Sequence, residues 1–399
     1  MNNHTVALNK TNSSGFNFRI LLLLSLGHLA TDLNQGALPV ILPYLKGAYD
    51  LSYAVAGLIP LVANISSSFI QPFFGLISDR FNCNWLLPIG CLAAAIGTAL
   101  LGFANHYVII LLLILFSGLG VAAYHPEGAK VALYAAGGRK ASAVSVFSVG
   151  GNFGYAFGSI IMAALLVQGG LTNSIYLLVP AIIVSFFLWV KMKDFPCQQP
   201  LKTQVQRLNL GLNKNNIGPL LTVIGIIIIR SWVQSGLAYY IPFYYINYLK
   251  TGQVRASYIL FVFLLAGASG TLTGGPLTDR FGRKKVILSS MLLLPPLLLT
   301  FIYGHFVISL IALFVAGGVI VSTFSTTIVL GQELLPQNIG MASGLMTGFA
   351  VGTGGLGVTL LGVLADATSE HVAMVTIALL PLVGVLLTLL LPPEGKKNN

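Results

Sequence analysis

Residues 275–285 read GPLTDRFGRKK, and residues 75–84 read GLISDRFNCN. The two stretches share the spacing G-x-x-x-D-R-F, 200 positions apart, so that Gly75, Asp79 and Arg80 match Gly275, Asp279 and Arg280. Each follows the second long apolar run of its half of the chain. The second copy continues through Gly282 and Arg283 to Lys284 and Lys285. A spacing that recurs at the same place in the hydropathy pattern marks an internal duplication. The chain therefore reads as two similar membrane halves, each with a charged turn on the same face.

Composition agrees with that reading. The 399 residues are 56% hydrophobic and 8% charged. A soluble domain carries about 25% charged residues, so this inventory cannot cover a water-facing surface. A polytopic all-α membrane protein is expected. The net charge of +11 is explained below by loop position, so no nucleic-acid partner is expected. Cys83, Cys91 and Cys197 show neither metal-ligand spacing nor an even framework, and no metal, cofactor or disulfide is expected. Residues 1–17 are polar and read as a disordered cytoplasmic tail. The apolar run after them contains Asp32 and lacks a small-residue cleavage site, which makes it a first span rather than a signal peptide.

A spanning helix needs about 20 mainly apolar residues. Twelve segments qualify: 18–42, 53–77, 86–103, 108–133, 141–167 and 174–190, then 217–246, 256–278, 286–303, 306–330, 341–364 and 372–391. The predicted architecture is two six-helix bundles, 18–190 and 217–391, joined by a basic linker at 191–216 and followed by a tail at 392–399. The positive-inside rule tests the count. With both termini in the cytoplasm, 17 of the 21 Lys and Arg fall inside. Only Lys46, Lys250 and Arg255 fall outside, and Arg230 alone lies in mid-membrane. A wrong span count would scramble that asymmetry.

Glycine steps repeat as well. The fifth span carries Gly150, Gly154 and Gly158, and the eleventh carries Gly344, Gly348 and Gly352, 194 positions later. Four-residue steps return to one helix face, where another backbone can approach closely. The stripes serve either tight packing or contacts along which two bundles rock.

Ionisable groups inside a bilayer are costly and usually face a cavity with a partner. The first span holds His28 and Asp32 one turn apart, with Gln35 on the same face. The fourth holds His125, Pro126 and Glu127, with Lys130 three residues after the acid. The seventh holds Arg230, with Gln234 one turn on. Asp32 in apolar surroundings needs a proton or a cation. Arg230 stays charged and needs an anion: Asp32, Glu127 or a substrate. His28 alternatively reads as a core histidine, Glu127 as a structural partner of Lys130, and Asn152 as an interhelical hydrogen bond. Asp79 and Asp279 recur at one place in both copies and can latch to Arg80, Arg280 or a neighbouring helix N-terminus.

No nucleotide loop, hydrolase elbow or metal motif is present in the sequence. Transport would then draw on an ion gradient, in which one charge crossing 100 mV yields about 2.3 kcal/mol. The loop signatures resemble those of the major facilitator superfamily. The stretches GHLATDLNQGALPVILPYL, YHPEGAKVALYAAGGRKASAVSVFSVGGNFG, RSWVQSGLAYYIPFYY and LPQNIGMASGLMTGFAVGTGGLGVTLLGVLADATS resemble its fosmidomycin-resistance branch of bacterial exporters. That resemblance implies a parallel repeat of two bundles around a cavity, alternating access, and efflux of drug-like or metabolite molecules by proton antiport in the cell inner membrane. The first loop departs from the pattern at Asn82, Cys83 and Asn84, and Tyr155 stands where the antiporter pattern has Pro.

The expectation is a monomeric non-enzyme exporter of small anionic or amphipathic molecules. Asp32, His28 and Glu127 would couple protons. Arg230, His125, Gln35, Gln234 and Asn152 would bind substrate, and the two charged turns would gate. The alternatives are a proton-coupled uptake symporter and a polytopic transferase using His125 and Glu127.

Overall fold

The computed structural model describes residues 16–81, 83–137, 139–196, 214–335 and 339–392, without the side chains of residues 79, 80, 140–142, 214–216, 339–344 and 347. Residues 1–15, Asn82 and most of the predicted linker therefore lie outside the described residues. Everything regular in the described residues is helical. In chain order the membrane helices are α1 (Phe18–Ala48), α2 (Tyr53–Ser78), α3 (Leu86–Phe103), α4 (Tyr107–Tyr134), α5 (Lys140–Gly169) and α6 (Leu171–Asp194). They continue as α7 (Ile217–Tyr248), α8 (Gln253–Phe281), α9 (Arg283–Tyr303), α10 (Phe306–Leu334), α11 (Gly348–Ala367, extended back to 339) and α12 (Glu370–Leu389). Eleven of these pass as membrane spans on hydropathy alone. The other, α1, is 31 residues long, and His28, Asp32, Asn34 and Gln35 dilute its apolar character.

Local chemistry sets the breaks. Asn17 and Ser52 cap α1 and α2 by accepting from the N–H groups of Ile20 and Val55. A π-helical turn, Ile65–Phe69, interrupts α2 and buries Ser66, Ser67 and Ser68, a distortion frequent at functional sites. Gly282 separates α8 from α9 at φ +88°, a conformation that admits glycine without strain.

The first six helices pack chiefly on one another, above all α1 on α5 and α3 on α4; so do the last six, led by α8 on α10. The two sets meet along α2–α11 and α5–α8. The glycine stripe of α5 does not lie at that junction. A Cβ at Gly150, Gly154 or Gly158 would strike the α1 backbone at Ser25, Leu29 or Leu33, so this stripe packs helices of the same set. On α11, Gly355 and Gly362 do cross, meeting α2 at Leu61 and Tyr53.

Among the described residues, hydrogen bonds between the two sets gather at the end of the molecule that is poor in lysine and arginine. Asp366 of α11 accepts from Tyr53 N–H (2.7 Å) and Ala54 N–H (2.8 Å), capping the free N-terminus of α2. The Tyr53 hydroxyl donates to Glu370 and accepts from Asn247 Nδ2 at 2.9 Å. Thr359 donates to the Gly57 carbonyl, and Gln253 donates to that of Val40. At the basic end, Asp279 is exposed and has no polar partner among the described residues, and Arg283 pairs with Glu333 inside the last set. The side chains of Asp79 and Arg80 lie outside the described residues. Hydrogen bonds thus tie the two sets together at the lysine-poor end, while Asp279 forms no latch among the described residues at the other.

Because Asp366 is exposed, each of its bonds contributes about 0.5–1.5 kcal/mol. Asp366→Ala should shift the population toward an open lysine-poor end. Electron–electron distance measurements between spin labels at Gly47→Cys and Gly252→Cys, with the native cysteines replaced, should gain a longer component. An unchanged distribution contradicts the seal.

Candidate functional site

About midway along α1, Asp32 is buried at 9% exposure. Its Oδ1 lies 2.9 Å from Gln35 Nε2, which donates, and 2.9 Å from His125 Nε2 on α4. Its Oδ2 lies 3.1 Å from His28 Nε2. His28 Nδ1 is 2.9 Å from the Phe147 carbonyl on α5, and the two rings stack at 4.2 Å. A carbonyl only accepts, so His28 Nδ1 carries hydrogen. In a neutral ring, Nε2 would then point a lone pair at the carboxylate. The donor atoms of His28, Asp32 and His125 also lie within 4.8 Å of one another, close enough for a divalent cation.

The four expected members Asp32, His28, His125 and Gln35 thus come together. Glu127 does not join them. It is fully buried, 2.7 Å from Lys130 Nζ, and accepts from Ser78 of α2. Lys130 donates in turn to the Ser78 carbonyl at 2.7 Å. These contacts link α2 to α4 and leave Glu127 Oε1 buried without a partner among the described residues. His125 and Glu127 therefore face different partners and form no acid–base pair. Asn152 and Gln234 are half-buried and show no hydrogen bond among the described residues.

Arg230 is 1% exposed, and its Nε, Nη1 and Nη2 have no hydrogen-bond partner among the described residues. Neither Asp32 nor Glu127 pairs with it. Its guanidinium lies 5.2 Å from the centre of the Phe324 ring on α10. The duplication puts this in context. A shift of 198 carries Asp32 to Arg230, and a shift of 199 carries His125, the partner of Asp32, to Phe324, the partner of Arg230. The two charged residues thus stand at comparable places in the two halves, an acid with imidazoles in the first set and a base with an aromatic face in the second.

Two residues of the site escaped the sequence reading. A Cβ at Gly151 would collide with His28 Nε2 and Asp32 Oδ2, so this glycine makes room for the pair. Its signal was the one glycine in SVGGNFG outside the four-residue stripe. Asn34 donates to the Ala30 carbonyl, which leaves its buried Oδ1 unpartnered beside a small chamber lined by Gln35, Ser67, Thr98 and Ser117. A polar pocket of that kind suits a buried water.

Comparison with known proteins now places the chain. The Major Facilitator Superfamily profile matches residues 24–254 and 223–399. The chain belongs to the Major Facilitator Superfamily. Among its relatives in this superfamily is the fosmidomycin resistance protein of Escherichia coli (strain K12), 34% identical over 97% of this chain and 96% of that one. The uncharacterised major facilitator YfnC of Bacillus subtilis (strain 168) is 35% identical over 95% and 94%. A bacterial homologue of the human lysosomal transporter Spinster, solved in an inward-facing and occupied conformation, superposes with TM-score 0.78 at 14% identity. That match covers 94% of this chain and 97% of the other and supports the fold. The chain is accordingly a multi-pass membrane transporter of small molecules.

An unpaired buried charge is destabilising, and its removal stabilises. Arg230→Met should raise the thermal midpoint of the detergent-purified protein by several degrees, on the order of 1–4 kcal/mol. Lys130→Met should lower it, because Glu127 is then left buried without its cation. A lowered midpoint in the arginine variant would mean that Arg230 has a protein partner after all.

Proposed function

We propose that this major facilitator is a proton-coupled exporter of small anionic or amphipathic molecules, working as a monomer by alternating access in the cell inner membrane. In this reading both termini are cytoplasmic. The carrying observation is Arg230, buried against Phe324 with three nitrogens lacking an acceptor among the described residues. An anionic group of the cargo is the missing partner, held in the fork geometry that a guanidinium offers. The Asp32–His28–His125 cluster supplies the proton site, and Gln35 orients the carboxylate. The resistance named for the E. coli relative is in keeping with efflux and suggests fosmidomycin among the first cargoes to try.

For exchange, cargo must displace the proton. A cargo that sets its anionic group on Arg230 and a hydrogen-bond donor on Asp32 does so, because the donor takes the place of the imidazolium. A purely anionic cargo favours the second reading, co-transport: negative charge at Arg230 attracts a proton toward the other half-site. The charged turns at Gly75–Arg80 and Gly275–Arg283 act in this scheme as the gate of the basic end, latching when the lysine-poor end opens.

Proteoliposomes with an imposed pH gradient test the proposal. Wild-type protein should accumulate fosmidomycin against its gradient, and Asp32→Asn should lose uphill movement by at least about 100-fold, equivalent to roughly 2.7 kcal/mol. Arg230→Lys should raise the half-saturating concentration of anionic cargo about tenfold, since a point charge replaces a planar fork. Uphill movement retained in the Asp32 variant would refute the proton assignment.

A further inference from the structure

Three basic side chains depart from the charge bias and sit at the lysine-poor end: Lys46, Lys250 and Arg255. Lys46 lies over the Tyr53 ring in the seal, 4.2 Å from its centroid. Arg255 has no acid partner among the described residues; it is exposed and lies over Phe306 at 4.3 Å. It borders an apolar groove of about 440 Å³ between α8 and α10, lined by Val254, Tyr258, Ile259, Phe306 and Leu310. At a water-like ~30 Å³ per methylene, that is room for on the order of fifteen methylenes. An unpaired guanidinium at the mouth of a chain-sized apolar groove on a membrane helix has the chemistry of a lipid anchor point.

We propose that this groove binds one anionic phospholipid of the leaflet at the lysine-poor end, its phosphate on Arg255 and an acyl chain along Ile259 and Leu310. The site is tied to the junction between the two helix sets. Gln253, two residues before Arg255, donates to the Val40 carbonyl of α1. Tyr258 touches Phe261 at 6.4 Å between ring centres, and Phe261 meets Phe157 of α5 at 5.5 Å. A chain seated against Tyr258 therefore bears on the α5–α8 contact, and lipid occupancy favours the closed lysine-poor end seen here. This site is independent of the cargo and proton assignments.

Native mass spectrometry of the full-length protein in detergent, titrated with phosphatidylglycerol or phosphatidylcholine, tests the site. Wild type should hold one phosphatidylglycerol roughly fivefold more tightly than phosphatidylcholine, the worth of one basic residue at an anionic surface. Arg255→Gln should erase that preference. Leu310→Trp, which fills the groove and keeps the arginine, should weaken both lipids, whereas soluble glycerophosphoglycerol should not compete. Equal binding of the two lipids to wild type, or an undiminished preference in Arg255→Gln, overturns the proposal. Displacement of the lipid by the soluble headgroup would reduce it to a phosphate site and overturn it equally.

Discussion

A fixed positive charge cannot rest in hydrocarbon without an anion, and Arg230 has none supplied by the described residues. That constraint organises the rest. The seventh helix carries the charge at mid-depth, where desolvation costs several kcal/mol, and the surrounding helices offer an aromatic face rather than an acid. Phe324 softens the burial through its ring quadrupole but does not neutralise it. In the proposed reading the protein is held in a state that an anionic visitor relieves. A transporter gains from such a deficit, because the binding energy of cargo is largest when the empty site is poorest.

The matching place in the first half shows the opposite solution. Asp32 is satisfied by His28, His125 and Gln35. In the proposed reading the site is thus divided, one half self-sufficient, the other dependent on what it carries. The seal at Asp366 and Tyr53 fixes one arrangement of the two halves. Its bonds are exposed and few, which suits a contact that must break in every cycle.

Much of this was legible in the chain. Apolar run length and the asymmetry of lysine and arginine gave the helix count, since both are set by the bilayer and not by packing detail. The repeated G-x-x-x-D-R-F gave the duplication. The pairing of His28, Asp32 and Gln35 followed from helical periodicity alone. What periodicity could not supply was distance between helices. It could not show that Glu127 meets Ser78, 49 positions away in sequence, rather than the Asp32 cluster. The α5 glycine stripe looked the same whether it faced its own bundle or the other one, and only the α1 backbone against it settled that. Gly151 was hidden because a missing side chain leaves no pattern of its own.

The central claim is that a cargo whose anionic group sits on Arg230 displaces, through a hydrogen-bond donor set on Asp32, a proton held at the Asp32 cluster. The most direct measurement is proton exchange on binding, followed with a pH indicator in weakly buffered detergent solution as fosmidomycin is added to the purified protein. The account predicts release of about one proton per cargo bound near neutral pH. Binding with no proton released or taken up would contradict the coupling between the two half-sites.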